Sequence, residues 1–298
     1  MEKEFENFIN IDKKTAWPEM KFFIDNVPNK IWGGVGGNSY TGWVYQQGFF
    51  AALVKSYKNQ DSLKILDFGC GYGKLAPASS FLTYPEGYYV GIDVMQHCID
   101  LCKSKYSSLP RTSFVLSDDL NERYTVKEFD ADSIKKPCGN DWSINSRTLD
   151  VVMSISVFTH LQETDALAYI NKIYEVLKSN GIAILTFHIL QEPRKNPLFI
   201  SEKGNNSLDR IFKFQTQISP NWFTSSPELP ERAIAISKEG LTNLIGDKFK
   251  IENHIKGTTT GSHSPFCQDV VVLRKIGAPK EIIESAKNHP KLNKSRSS

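Results

Sequence analysis

At 298 residues the chain has room for one large domain or two small ones. Its 40% hydrophobic and 23% charged residues are those of a soluble globular protein, not of a disordered or membrane-spanning chain. No apolar run approaches the roughly 20 residues that a bilayer span requires. The opening MEKEFENFIN is acidic and lacks the apolar stretch of a secretory signal.

The five cysteines (Cys70, Cys98, Cys102, Cys138 and Cys267) are odd in number and form no C-x-x-C pair. That argues against a disulfide framework or a metal site and for a reduced, cytoplasmic setting. The formal charge of +3 resides in the tail from Ile276 to Ser298, where Lys280, Lys287, Lys291, Lys294 and Arg296 outnumber Glu281 and Glu284 by three. The remaining body is formally neutral, so no concentrated basic face for nucleic acid is expected.

In chain order, residues 1 to about 60 are rich in aromatics, among them Trp17, Trp32, Tyr40, Trp43, Tyr45, Phe49 and Phe50, and read as an ordered cap. Ile31 to Gly42 is loop-like, and Trp43 to Lys58 is expected to form a helix packed on the core. The stretch from Lys64 to Gly73, KILDFGCGYG, follows. Its apolar start suits a buried parallel strand over 64–68, and the three alternating glycines suit a turn where a ligand lies against the main chain. With a helix after it (74–82), the turn offers free N–H groups.

A dinucleotide fingerprint, G-x-G-x-x-G, would need a glycine where this chain has Lys74. Asp67, just ahead of the glycines, would repel a pyrophosphate and suits a cationic ligand. Tyr88 to Asp93 (YYVGID) reads as the second strand, ending in an acid 20 residues after Gly73. At that spacing a carboxylate reaches ribose hydroxyls, although an Asp there can also cap the next helix, 95–106. A third strand, 112–117, leads to Asp118 and Asp119, and a fourth, 149–156, runs into SISVFTHL.

Thr159 is a candidate cap for a helix from about 160 to 178, with Leu167, Ile170, Ile173, Tyr174 and Leu177 on its core face. Lys178 to Gly181 would end that helix, and Ile182 to His188 gives the fifth strand. From Gln191 to about Asp247, scattered prolines and aromatics break the rhythm. Phe249–Lys256 and Gln268–Arg274 read as the last two strands.

The four stretches between Lys64 and Leu161, in this order, resemble the motifs of the class I S-adenosylmethionine (SAM)-dependent methyltransferases. The pairing of SVFTHL with QDVVVLRK is similar to a subgroup associated with glycan and secondary-metabolite biosynthesis. The resemblance implies an α/β, Rossmann-like seven-stranded sheet, mostly parallel with an antiparallel last strand, and SAM as cofactor. It assigns Asp67, Gly69, Cys70, Gly71, Asp93, Val94, Asp118, Ser156 and Tyr40 to the cofactor site, with Asp118 on the adenine amine and Tyr40 and Tyr45 as lid candidates.

The same resemblance divides the chain into a cap (1–60), a SAM-binding core (61–275) with insertions at about 120–147 and 191–247, and a basic tail (276–298). The second insertion would shape the acceptor pocket. The Asn/Asp-Pro-Pro-Tyr motif of base and amide methyltransferases is absent, since Ser154 to Phe158 stands in its place. The Asp-Asn of the metal-dependent catechol enzymes is replaced by Phe187-His188, so no metal is expected.

These features point to O-methylation of a small molecule such as a sugar or biosynthetic intermediate. Two alternatives remain: a non-catalytic SAM-binding protein, or a protein or RNA methyltransferase anchored by its tail. His188, His160 and His263 are the candidate bases, His188 first, because it ends the fifth strand and an ordinary imidazole titrates near neutrality. Each could instead serve a structural role.

Overall fold

The apolar segments anticipated above pair as strands in a computed structural model of the chain, which describes residues 40–117, 147–190, 214–257 and 266–277. Asp118, His263, the cap before residue 40, nearly all of the first insertion and the tail beyond residue 277 lie outside the described residues, as does Cys138. Strands β1 (Lys64–Phe68), β2 (Tyr88–Asp93), β3 (Thr112–Leu116), β4 (Leu149–Ser154) and β5 (Leu177–Phe187) run parallel in the order β3-β2-β1-β4-β5. β11 (Asp269–Lys275) pairs antiparallel with β5, and β10 (Phe249–Ile255) pairs antiparallel with β11 at the sheet edge. This is the seven-stranded, mostly parallel sheet that the sequence implies.

Both faces of the sheet are covered, which is why its central strands are apolar without alternation. Every residue of β4 is buried. The first two helices, α1 (Tyr40–Tyr57) and α2 (Ala76–Leu82), together with α3 (Gln96–Lys105), lie on one face. There Phe50, Leu53, Val54, Ile99 and Cys102 meet Ile65, Tyr89 and Met153. On the other face α4 (Glu163–Val176) and α5 (Lys238–Ile245) bring Ile170, Ile173, Leu241 and Leu244 against Leu66, Val152 and Leu185. Successive strand residues thus serve opposite cores, as a two-residue side-chain period dictates.

Between β5 and β10 the chain builds a second, four-stranded sheet that periodicity did not reveal. β6 (Ile189–Leu190), β7 (Thr216–Ser219), β8 (Trp222–Thr224) and β9 (Ile234–Ser237) pair in the order β6-β9-β8-β7. Only His188 separates β5 from β6, so the second sheet is seated directly at the exit of the first.

The region after β4 departs from expectation. Thr159 does not cap a helix starting at 160: Phe158–His160 is a 3₁₀ turn, Leu161 is extended, and α4 starts at Glu163 with Gln162 as its N-cap residue. Thr159 is fully buried, which takes its hydroxyl away from the helix end. Leu167 is 43% exposed, and Ala166 and Tyr169 take the core positions instead. Helix α4 also stops at Val176, before any glycine, and Lys178–Asn180 already belongs to β5.

Lys275 of β11 supplies part of the helix stop. Its ammonium lies 4.3 Å from the centre of the Tyr174 ring and donates to the carbonyls of Tyr174 and Leu177 (2.7 Å to the latter). A cation at a helix C-terminus satisfies orphan carbonyls and opposes the negative end of the dipole. Lys275→Met should therefore lower stability by about 1–3 kcal/mol in urea denaturation, the cost of leaving buried acceptors unmet, with SAM affinity unchanged.

Candidate cofactor and active site

At the end of β1 the chain turns over three glycines with φ of 76°, 52° and 69° at Gly69, Gly71 and Gly73, the left-handed region that a side chain resists. Gly69 has a second reason to lack a side chain, since a Cβ there would lie 2.2 Å from Cγ2 of Val157 in the turn after β4. The glycine turn is tied to β2 by main-chain bonds: the N–H groups of Gly69 and Cys70 donate to the Ile92 carbonyl at 2.8 and 3.0 Å.

Asp93 organises the same turn. Its two carboxylate oxygens accept the N–H of Gly71 at 2.7 Å and that of Met95 at 2.9 Å, with Val94 N–H contributing as well. Burial pushes its pKa up, and these backbone donors pull it back down. Asp93 does not cap the helix as weighed from sequence: the N-cap residue is Met95, without a side-chain cap, and Asp93 instead holds the N–H of Met95 just ahead of the helix. Each carboxylate oxygen keeps a further lone pair that a ribose hydroxyl could use. The side chain is buried, with 6% exposed, so it is not a solvated group waiting at a strand end.

Asp67 differs from the bare anion suggested by sequence. It is 2% exposed and accepts a hydrogen bond from the Tyr89 hydroxyl at 2.6 Å. Burial raises its pKa to about 7, with Asp93 pushing the same way and Tyr89 and Lys74 opposing. Lys74, which replaces the third glycine of a dinucleotide motif, is itself buried and donates to Gln46 of α1 at 2.6 Å. Burial lowers its pKa to about 8 despite the pull of Asp67. A cation and a carboxyl thus face one another under the turn. Sequence marked Lys74 as a departure from a motif but gave no sign that it packs inside. Cys70 is buried, and its thiol lies 3.7 Å from the Gly71 carbonyl, with that of Cys102 at 3.4 Å.

On the opposite side of the turn, Ser156 is held at φ 62°. Its N–H donates to Thr186 Oγ1 at 2.7 Å and its hydroxyl to Gln268 Oε1 at 3.0 Å. Of the lid candidates, Tyr45 is 48% exposed and lies near Phe49 and Phe266, whereas Tyr40 is described only as the start of α1.

The two described candidate histidines meet at the junction of the sheets. His160 is partly buried, and its Nδ1 lies 2.8 Å from the Glu231 carbonyl. A carbonyl can only accept, so Nδ1 carries the hydrogen and Nε2 is the basic atom. Glu231 and Gln162, neither singled out from sequence, brace this contact through a 2.9 Å bond from Gln162 Nε2 to Glu231 Oε1. His188 is not at an open rim. It is 3% exposed, its ring is 5.1 Å from that of Phe214, and burial together with the charge of His160 depresses its pKa to about 3. The expected imidazole titrating near neutrality is therefore absent at position 188. Among the described residues, no group of three or more His, Cys, Asp or Glu is placed to hold a metal, and no helix is long and apolar enough to cross a membrane.

Two pH dependences follow. Asp67 is neutral below about pH 7 in the empty site and ionised above it, so affinity for a cationic ligand such as SAM should rise with pH by up to about tenfold per unit below 7. Calorimetry of Asp67→Asn across the same range should show a flat, weaker affinity. For His188 the folded value of about 3 lies below the ordinary imidazole value of 6.5, so its stabilising contribution is complete above 6.5 and is lost as pH falls toward 3. The gap in melting temperature between wild type and His188→Gln should narrow steadily over that interval.

Residues 66–183 match a family model described as a methyltransferase domain. Over 150 residues, 50% of this chain and 51% of the other, the sequence is 25% identical to a Geobacillus sp. (strain WCH70) protein that carries a provisional methyltransferase name. The chain thus spans about half the length of this curated relative. Similar solved structures include a Pyrococcus horikoshii OT3 protein at 19% identity, with 80% of this chain and 93% of that one covered and a TM-score of 0.48. A SAM-dependent methyltransferase from Aquifex aeolicus is 12% identical, with 88% and 100% covered and a TM-score of 0.48. Magnesium protoporphyrin IX methyltransferase from Synechocystis PCC 6803, solved with bound SAM, is 14% identical, with 88% and 99% covered and a TM-score of 0.47. The family match takes in the glycine turn, the second-strand acid and the fourth and fifth strands' approach to the junction, so that residues 66–183 are similar to a methyltransferase domain.

Proposed function

We propose that the protein transfers the methyl group of SAM to a hydroxyl of a small molecule, such as a sugar or a biosynthetic intermediate, in a reduced cytoplasmic setting. The observation that supports this reading is the place of His160: its Nδ1 donates to the Glu231 carbonyl, and the residue lies three positions after the Val157 that packs on Gly69. A sulfonium is already a good leaving group, so the protein has to align acceptor, methyl and sulfur and to remove the acceptor's proton. His160 is the base in this account. His188, neutral throughout the physiological range, is a buried neighbour that shapes the pocket wall with Phe214.

The cofactor residues are Asp67, Gly69, Cys70, Gly71, Asp93, Val94 and Ser156, with Asp118 and Tyr40 added by the family pattern. In this reading the acceptor lies against the segment that forms the second sheet, where Leu190, Phe214, Ala233 and Ala235 pack into a small apolar cluster.

Methyl transfer from labelled SAM to a panel of sugars and phenolic or alcoholic metabolites tests the reading. With an acceptor in hand, His160→Ala should lower kcat by roughly 10²–10⁴-fold, the usual contribution of a positioned base, leave SAM affinity nearly unchanged, and abolish the ascending limb of the pH–rate profile. No transfer to any acceptor despite tight SAM binding would favour the non-catalytic alternative. Salt-sensitive RNA retention that disappears on removing residues 276–298 would favour the nucleic-acid one.

A further inference from the structure

β11 runs antiparallel to β5, so its first residues lie at the edge where β5 ends: Asp269 is in register with Phe187. Two adjacent side chains at this point reach the two segments that carry the histidines. Gln268 accepts the Ser156 hydroxyl hydrogen at 3.0 Å and extends its amide nitrogen to Thr159 Oγ1 at 3.5 Å. Asp269, fully buried, accepts the N–H of Ile189 at 3.1 Å, one residue beyond His188, with the opposite oxygen taking His254 Nε2 at 2.9 Å and Gly257 N–H at 3.2 Å.

The turn gripped by Gln268 needs holding. Ser156 sits at φ 62°, a conformation that a residue with a Cβ adopts only when its surroundings enforce it, and such residues cluster at functional sites. Its own N–H is pinned to Thr186. The residue after it, Val157, fills the space that the missing Cβ of Gly69 leaves, and the Val157 carbonyl accepts the N–H of His160 at 2.8 Å. A single short turn therefore touches the cofactor loop at one end and carries an imidazole at the other.

We infer that Gln268 and Asp269 are positioning residues for methyl transfer, a two-residue clamp that fixes the 156–160 turn against the glycine loop and fixes the β5 exit beside it. Their effect on the reaction rests on the transferase reading above, but the clamp itself can be measured without an acceptor. It also gives a physical reason for SVFTHL and QDVVVLRK to occur in one chain: the serine and threonine of the first are the hydrogen-bond partners of the glutamine of the second.

The test is amide hydrogen exchange and calorimetry with S-adenosylhomocysteine on the full chain. In Gln268→Ala, exchange in a peptide spanning residues 155–161 should accelerate about five- to tenfold, the size of one lost hydrogen bond, with peptides from the interiors of β4, β5 and β11 unchanged. S-adenosylhomocysteine should bind several-fold more weakly, because Val157 no longer holds Gly69. Gln268→Glu keeps the acceptor for Ser156 and should stay near wild type, and it serves as the deciding variant if the alanine form does not fold. Unchanged exchange in 155–161, acceleration spread evenly over the sheet, or a glutamate variant as loose as the alanine one would overturn the clamp. Should wild type bind no S-adenosylhomocysteine, the transferase reading fails, and the exchange data still decide whether Gln268 holds the turn.

Discussion

A carboxylate reaching across from one strand to the turn of its neighbour is the contact on which the site depends. Asp93, at the end of β2, takes the Gly71 N–H with one oxygen and the Met95 N–H with the other. The first bond sets the shape of the glycine turn after β1, and the second sets the entry into α3. Because β1 and β2 pair residue for residue from Lys64–Tyr88 to Phe68–Ile92, the acid meets the turn without any adjustment of the backbone. A charged acceptor that bonds backbone donors is worth more than a neutral one, most of all where water is excluded. Together with the Ile92 carbonyl, which takes the N–H groups of Gly69 and Cys70, Asp93 holds the glycines in the left-handed region.

In the proposed reading, the site divides around this contact into a cofactor half and an acceptor half. On the cofactor side, Asp67, Asp93 and Lys74 are buried together, and burial holds the Asp67 carboxyl near neutrality until a cation arrives. Such an arrangement disfavours phosphate and favours a ligand that brings its own positive charge. On the other side the buried Glu231 accepts from the Gln162 amide and gives its carbonyl to His160, while the buried Asp269 pairs with His254. The turn at Ser156 to His160 joins the halves, since Val157 lies on Gly69.

Much of the fold was legible because the strands of the parallel sheet contain apolar runs, with β1 leading into Gly69 and β2 ending in Asp93. β1 and β2 have the boundaries read from the residues alone, and a seven-stranded, mostly parallel sheet with an antiparallel strand follows from the family pattern. Errors fell where tertiary contacts overrule local signals. Thr159 is a good capping residue by type, yet it is buried against Gln268 and the helix begins four residues later. Lys178 to Gly181 has the composition of a helix end but forms the start of a strand, because Lys275 arrives from β11 to take the terminal carbonyls. The second sheet escaped notice because its strands are two to four residues long, too short to show a period among the prolines.

In the candidate site, the glycine turn and the acids Asp67 and Asp93 stand out in the sequence, whereas the contacts of Lys74, Glu231, Gln162 and Gln268 do not, since their partners are distant in sequence. The opposite holds for His188, whose place at a strand end suggested an accessible base and whose burial makes it a poor one. The central claim is that the turn organised by Asp93 is a SAM site and not a dinucleotide site. Calorimetry with SAM, S-adenosylhomocysteine and NAD on the same preparation tests it most directly. The account predicts that the first two bind with one-to-one stoichiometry and that NAD does not bind; tight NAD binding without SAM binding would contradict it.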